Sequence, residues 1–446
     1  MPESSSAWES PFAWRYGRDA MRAIFSHERY RRLWRRVWLA LATAQQPAGL
    51  LTEADLAAIR ARVDVVDLAA AAEIEARIKH DVVSELRVFA RQVGPAGGRL
   101  HLGATSADIT DNADALRLRE ALALLEDRLA DVLAELADLI ERTAALPALA
   151  YTHLQPAEPT TLGYRFALHA QDLLEDLEEL GRLRAAVRGK GFKGAVGTSA
   201  GYARLLAGTG VTVEQMEAEA LRQLGLEAYP VASQTYPRKQ DYRVLAALAG
   251  LAASLAKAAF DLRVLQSGPF GEVGEPYGAE QVGSSAMPFK QNPELSERIS
   301  SLARFVAALP QVAWGNAADA LLERTLDDSA NRRVIIPEAF LALDECLLLA
   351  KRVYAGLRIH EARLAANLAT FGPFIGAEPL LMELARRGAD RQRLHEVIRR
   401  HAAAAWEAVR RGEPNPLADA LAADPEITAY LSPAEVRAAL DPAGDR

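Results

Sequence analysis

Apolar residues recur along most of this chain at steps of three and four, the spacing that keeps one face of an α-helix out of water. Between Asp111 and Thr143, the residues Leu118, Leu122, Leu125, Leu129, Val132, Leu136 and Leu139 form one unbroken seam. A second run carries Phe166, Ala170, Leu173, Leu177, Leu180 and Val187 and stops at Gly189 and Gly191. A third, Arg238 to Gln266, places Leu245, Leu248, Ala252, Leu255, Ala259 and Leu262 on one Ala-rich face. A fourth runs from Pro293 to about Leu321, with Pro310 as an expected kink, and a fifth from Ser329 to Leu357. Each exceeds the usual helix of about 11 or 12 residues. Alternating, strand-like runs are scarce, so the pattern predicts an all-α fold around five long helices.

The flanks are patterned differently. Residues 1–105 are shorter helical segments rich in Arg and aromatics, such as Tyr30-Arg31-Arg32-Leu33-Trp34. Residues 360–446 are short helical patterns broken by Gly372-Pro373, Gly412 to Pro416 and Pro433. Three domains are therefore expected: an N-terminal helical domain (1–105), a central bundle (106–359) and a C-terminal helical domain (360–446). Stripes as apolar as those of the bundle call for more partners than one chain supplies, which points to oligomerisation through it.

Composition adds boundaries rather than chemistry. The 446 residues are half hydrophobic and a quarter charged, as in ordinary globular proteins. Cys346, the single cysteine, cannot form an internal disulfide, and no Cys/His cluster suggests a metal. The start, MPESSSAWESPFAW, lacks the charged and apolar regions of a leader peptide. A reducing, cytoplasmic setting is expected. The most apolar stretch, Val244 to Ala256, reads as too short and too interrupted to span a bilayer, so no membrane association is expected. A net charge of −7 argues against nonspecific nucleic-acid binding. It also means that any anionic ligand must be met by cations concentrated locally.

Four polar segments interrupt the helices: Lys79-His80-Asp81, His101 to Asp108, Tyr151 to Pro159, and Gly271 to Asn292. The last has Gly271, Gly274, Gly278 and Gly283 as a flexible approach, then Ser284 and Ser285, with Pro288 and Pro293 stiffening the exit before the fourth helix. Hydroxyls, an ammonium and an amide near a helix N-terminus suit an anion and an abstractable proton. The segment Gly189 to Ser199 is rich in Gly and Lys, but it lacks the order of a triphosphate-binding loop and follows no strand.

The run Gly283-Ser284-Ser285-Ala286-Met287-Pro288-Phe289-Lys290-Gln291-Asn292 resembles the signature of the fumarase/aspartase superfamily, whose members eliminate fumarate from succinyl compounds. Thr152-His153-Leu154-Gln155-Pro156-Ala157 and Glu323-Arg324-Thr325-Leu326-Asp327-Asp328-Ser329-Ala330-Asn331-Arg332-Arg333 are similar to its adenylosuccinate-cleaving family. Ser233-Gln234-Thr235-Tyr236 and Lys79-His80-Asp81 fit the same family in the same order. The likeness runs from about Arg15 to beyond residue 360.

That resemblance implies a β-elimination that splits a C–N bond, with no cofactor and no metal. It makes Ser284 the general base and His153 the general acid. Lys290 is the cation that stabilises the serine alkoxide, and Glu297 the carboxylate that orients the acid. His80 is the rival acid or base, or a phosphate ligand. For the anionic substrate it implies Arg15, Lys79, Arg298, Arg324 and Arg333, with Tyr16 stacking on or bonding the nucleotide. Thr105, Ser106, Gln234, Asn292 and Ser329 become donors to carboxylate or phosphate, and Asp81 a further contact. Lys79 stands where many relatives carry Arg, so a bidentate grip is not expected there. Thr198 and Ser199 fall near the site as well. The family assembles homotetramers around a twenty-helix core, each site drawing residues from three chains.

Taken without that context, several of these residues have plainer readings. His153 could cap a helix start, and each Arg could be an ordinary surface or ion-pair residue. Within the superfamily, argininosuccinate cleavage and muconate cycloisomerisation are the rivals. A catalytically silent protein on the same scaffold is the alternative from another class. The cations of residues 323–333 favour a substrate that carries a phosphate.

Overall fold

The computed structural model describes residues 8–441. Helices dominate it, and the five long ones are Ser106–Thr143, Leu162–Ala186, Lys239–Gln266, Glu294–Ala318 and Ser329–Gly356. Every residue of the expected seam on the first, from Leu118 to Leu139, is buried. So are all six core positions expected on the third. The fold is all-α as expected. Pro310 lies inside the fourth helix, and Pro337, which the pattern did not flag, lies inside the fifth.

The third helix is long and apolar enough to cross a membrane, which the shorter stretch judged from sequence was not; nearly half of that window is buried in the chain. Leu248 and Leu251, fully buried near its middle, mark it as a core helix of the bundle.

Two compact units emerge. One comprises Met1–Asp131, Leu173–Ala256 and Arg298–Leu349. Within it, Trp34, Trp38, Phe89 and Ile109 pack with Phe192 and Tyr202 into one core. The other comprises Val132–Asp172, Lys257–Glu297 and Ala350–Arg446. There the helices after residue 376 close on Leu380, Leu384, Leu394, Leu417, Leu421 and Ile427.

Four short strands also occur among the described residues. Pro147–Thr152 and Gln155–Thr161 pair antiparallel as a hairpin, around the polar segment that separates the first two long helices. Val273–Gly274 pairs with Arg358–Ile359. Pro156 and Pro159 lie in the second hairpin strand, a placement that a two-stranded ribbon tolerates because a strand without a second neighbour needs fewer N–H donors.

Candidate active site

In the first unit, the sequence-predicted residues cluster through three segments. Lys79 ends the helix Leu68–Ile78 in the left-handed conformation (φ 56°). That turn presents His80 as the N-cap of the helix Asp81–Val93, where its Nδ1 accepts the Val83 N–H at 3.3 Å. A nitrogen that accepts an N–H is unprotonated, so a neutral His80 ring carries its hydrogen on Nε2. That nitrogen lies 3.5 Å from Ser106 Oγ. Asp81 Oδ2 accepts from Arg333 at 2.9 Å, while its Oδ1 accepts the Val82 N–H. His80, Ser106, Asp81 and Arg333 are therefore brought together.

Asp108, which sequence reasoning passed over, holds this region in place. Buried in the first turn of the first long helix, it accepts the Thr105 N–H at 2.9 Å. It also accepts from Lys190 Nζ, the Lys193 and Gly194 amides, and Tyr202 Oη. The Gly- and Lys-rich segment is thus a loop folded onto one buried carboxylate, with the Lys190 ammonium committed to it. The signal was present: Thr105 and Asp108 have the spacing of a capping box.

His101 is structural. Its Nδ1 accepts Trp38 Nε1 at 2.9 Å, and burial holds the ring below the ordinary imidazole value of 6.5, against a raising influence from Asp108.

Of the candidate arginines, Arg324 pairs with Asp328 at 2.8 Å and Arg298 faces Glu345 at 3.7 Å. Of their neighbours, Arg238 is buried and Arg332 largely so. Arg238 joins Asp328 and Asp111, and Arg332 joins Asp241, Asp114 and the Tyr236 hydroxyl. Burial pushes Asp114 up, but Arg117 and Arg332 outweigh it and hold its carboxyl at about 2. Of the adjacent Arg332 and Arg333, the first is consumed by the fold and the second is exposed.

Gln234 spends its amide nitrogen on the Ala195 carbonyl at 3.0 Å and its backbone N–H on that of Glu323 at 3.1 Å. Ser329 opens the fifth long helix, and its N–H bonds the Leu326 carbonyl. Arg15 is exposed and has no acidic partner among the described residues; it lies 5.8 Å from the ring centroids of both Trp14 and Tyr16.

In the second unit, His153 and Leu154 are the two residues of the hairpin turn, with φ 54° and 60°. Two consecutive left-handed residues make a type I′ turn, which favours Asn-Gly; residues with a Cβ pay about 1–2 kcal/mol each. His153 therefore does not cap a helix. It stands exposed at the tip of a strained turn, with no side-chain hydrogen bond among the described residues.

The hairpin is tied down behind that tip by Glu272, fully buried, which accepts from Tyr151 Oη (3.2 Å), Arg165 (2.9 Å) and Asn367 (2.9 Å).

Glu272 also opens the Gly-rich segment, which is an arch with fixed feet. At one foot Glu275 donates its N–H to Gln266; at the other, Gln291 bonds both Gln266 and Arg358. The neck is closed by Asn292 Nδ2 donating to the Gly283 carbonyl at 2.7 Å. A Cβ on Gly283 would lie 2.2 Å from the Lys290 oxygen, so only glycine permits that approach.

Within the arch, Ser284 Oγ accepts the amide N–H groups of Ala286 (3.3 Å) and Met287 (3.1 Å). Lys290 is exposed and unpaired among the described residues, and Glu297 is exposed in the first turn of the fourth long helix.

One expectation is corrected. The N-terminus of the fourth long helix is not open to a substrate anion, because the buried Glu275 carboxylate already takes the Leu295 (3.0 Å) and Ser296 (2.7 Å) amides. The donors available to Ser284 belong to its own loop.

No hydrogen bond joins Ser284 to His153 among the described residues. No group of His, Cys, Asp and Glu among the described residues is arranged to hold a metal.

A bundle of long helices, a strained hairpin histidine and a serine ringed by amides can be set beside known proteins. A family model described as "Lyase" matches residues 15–307, and one described as "Adenylosuccinate lyase C-terminus" matches 373–444. The chain is 39% identical over 422 residues to an adenylosuccinate lyase of Schistosoma mansoni, covering 94% of this chain and 88% of that protein. It is 38% identical over 402 residues to that of Schizosaccharomyces pombe, covering 89% and 83%. Among solved structures, the 3-carboxy-cis,cis-muconate lactonizing enzyme of Pseudomonas putida superposes with a TM-score of 0.85 at 27% identity, covering 97% of this chain and 95% of that one. The fold is thus one that this chain shares with a lactonizing enzyme, and it does not by itself choose an activity. The sequence does: the chain belongs to the adenylosuccinate lyase family.

Proposed function

We propose that this chain cleaves adenylosuccinate into fumarate and AMP, and the succinyl-aminoimidazole-carboxamide ribotide in the same way. Family membership supports this reading of the substrate.

In the proposed reaction Ser284, as alkoxide, removes a proton from the succinyl carbon next to the one that bears nitrogen. The electron pair forms the fumarate double bond as the C–N bond breaks, and His153 gives the departing nitrogen its proton. Serine is a weak base because its alkoxide is costly; amide donors and a nearby cation reduce that cost. The two amides already aimed at Ser284 Oγ carry this assignment, and the unpaired Lys290 is placed in the same loop to add charge.

Glu297 orients His153, and Asn292 holds the loop neck. Arg333, Lys79, His80, Thr105 and Ser106 receive substrate anions, with Arg15, Tyr16, Gln234, Arg298, Arg324 and Ser329 completing the set. Asp81 positions Arg333.

The chain assembles as a homotetramer with a twenty-helix core, in a cytoplasmic setting, and builds each site from several chains. Exposed Tyr164, Leu168, Phe260 and Trp314 on the long helices support association. Domains at 1–105, 106–359 and 360–446 remain the proposed division.

The direct test is incubation of the purified protein with adenylosuccinate and, in parallel, argininosuccinate, following fumarate. Release from adenylosuccinate is expected; release from argininosuccinate alone contradicts the substrate assignment.

A further inference from the structure

We propose that the chain carries a second anion site, separate from the residues above, that takes a nucleotide: a phosphate joined to a flat, largely apolar ring. A cavity of about 510 Å³ lies in the first unit. It is walled by the helices His27–Gln45, Glu53–Arg62, Ser106–Thr143, Leu162–Ala186 and Val213–Leu224. That volume falls within the roughly 300–1,000 Å³ of small-molecule sites. None of its lining residues is among the catalytic or substrate-binding candidates.

Its charge is lopsided. Arg29, Arg36, Arg60, Arg119 and Arg184 line it against the single carboxylate of Glu120, in a chain whose net charge is −7. Two of these cations are matched: Arg29 pairs with Glu120 at 3.0 Å and Arg184 with Glu126 at 2.7 Å. The other three are not held tightly. Arg36 lies 3.4 Å from Asp64 and Arg60 4.0 Å from Glu53, all four side chains being well exposed. Arg119 bonds the neutral carbonyl of Gly225 and has no carboxylate partner among the described residues.

Guanidinium groups gathered around one cavity repel one another unless an anion sits among them, and their planar forks match phosphate oxygens two at a time. The rest of the lining argues for more than a bare ion. Leu33, Leu39, Leu116 and Leu224 give the cavity an apolar floor that inorganic phosphate would leave unused. A cationic rim over an apolar floor is the complement of a nucleotide, whose ring can lie on leucine while its phosphate meets arginine.

AMP is the probe, titrated calorimetrically into the intact protein at low salt and compared with inorganic phosphate. The double variant Arg36→Ala/Arg119→Ala is expected to lose one AMP equivalent per chain relative to the native protein, or to bind it at least ~10-fold more weakly. It should keep native turnover, because neither residue belongs to the proposed catalytic set. Arg36→Lys/Arg119→Lys, which keeps charge but loses the forks, should fall between the two and guards against misfolding as the cause. Inorganic phosphate should bind at least ~10-fold more weakly than AMP. Unchanged AMP stoichiometry and affinity in the alanine variant would overturn the site, and equal affinity for phosphate and AMP would overturn its assignment to nucleotides. Because the readout is a difference between native and variant, it does not depend on whether adenylosuccinate is the substrate.

Discussion

Ser284 and His153 are each held in an unusual local state, and each state can be measured. The Ser284 oxygen accepts two amides, an arrangement that favours the alkoxide over the alcohol. Ser284→Ala should lower kcat by about 10²–10⁴-fold with little change in KM, the usual range for loss of a general base; retention of most of the turnover would assign the proton removal elsewhere. At the hairpin tip, Leu154 is 65% exposed and left-handed, so replacing it forfeits little burial. Leu154→Gly should raise stability by about 0.5–1 kcal/mol, the backbone relief exceeding the entropy cost of glycine, read as a higher denaturant midpoint. His101 supplies a pH dependence. Its folded value lies below 6.5, so on acidification the unfolded chain takes up the proton first and stability falls as pH drops through that value. In His101→Gln the loss of Tm between about pH 7 and pH 5 should be smaller than in the native protein; an unchanged slope would contradict this. His153 and Ser284 were readable as candidates because their motifs are local. Their conformations were not, since neither a two-residue turn without Gly or Asn nor a hydroxyl taking two amides has a distinctive spelling.

At the scale of elements, the long helices were legible because an apolar stripe repeats over many turns, and the buried seam from Leu118 to Leu139 follows it residue by residue. The hairpin was not. Gln155 to Thr161 contains two prolines, which count against a strand, and the turn itself is His-Leu. What holds it depends on a residue more than a hundred positions away: Glu272 meets Arg165 and Tyr151 from the far side of the third long helix in sequence. Such a contact leaves no periodic trace. Breaking it by Glu272→Ala leaves the largely buried Arg165 without its carboxylate and should cost about 3–5 kcal/mol. Urea unfolding would show this, and a change below about 1 kcal/mol would mean that the hairpin is held by other means. Asp108 and Glu275 escaped notice for the same reason, although each organises a segment that the motifs had singled out.

For the molecule as a whole, the sequence carried the family and the fold class, while assembly is where the proposed chemistry stands or falls. The two side chains proposed to react lie on a hairpin tip and a loop arch, with no hydrogen bond joining them among the described residues. The proposal places a serine from one chain opposite a histidine from another. The most direct measurement is fumarate release from adenylosuccinate by oligomers reassembled from equal amounts of Ser284→Ala and His153→Ala chains. Each variant alone should be nearly inactive, and the mixture should recover up to about a quarter of native turnover, since about one site in four then receives both intact residues. A mixture no more active than either variant, with mixed oligomers demonstrably formed, would contradict a site shared between chains.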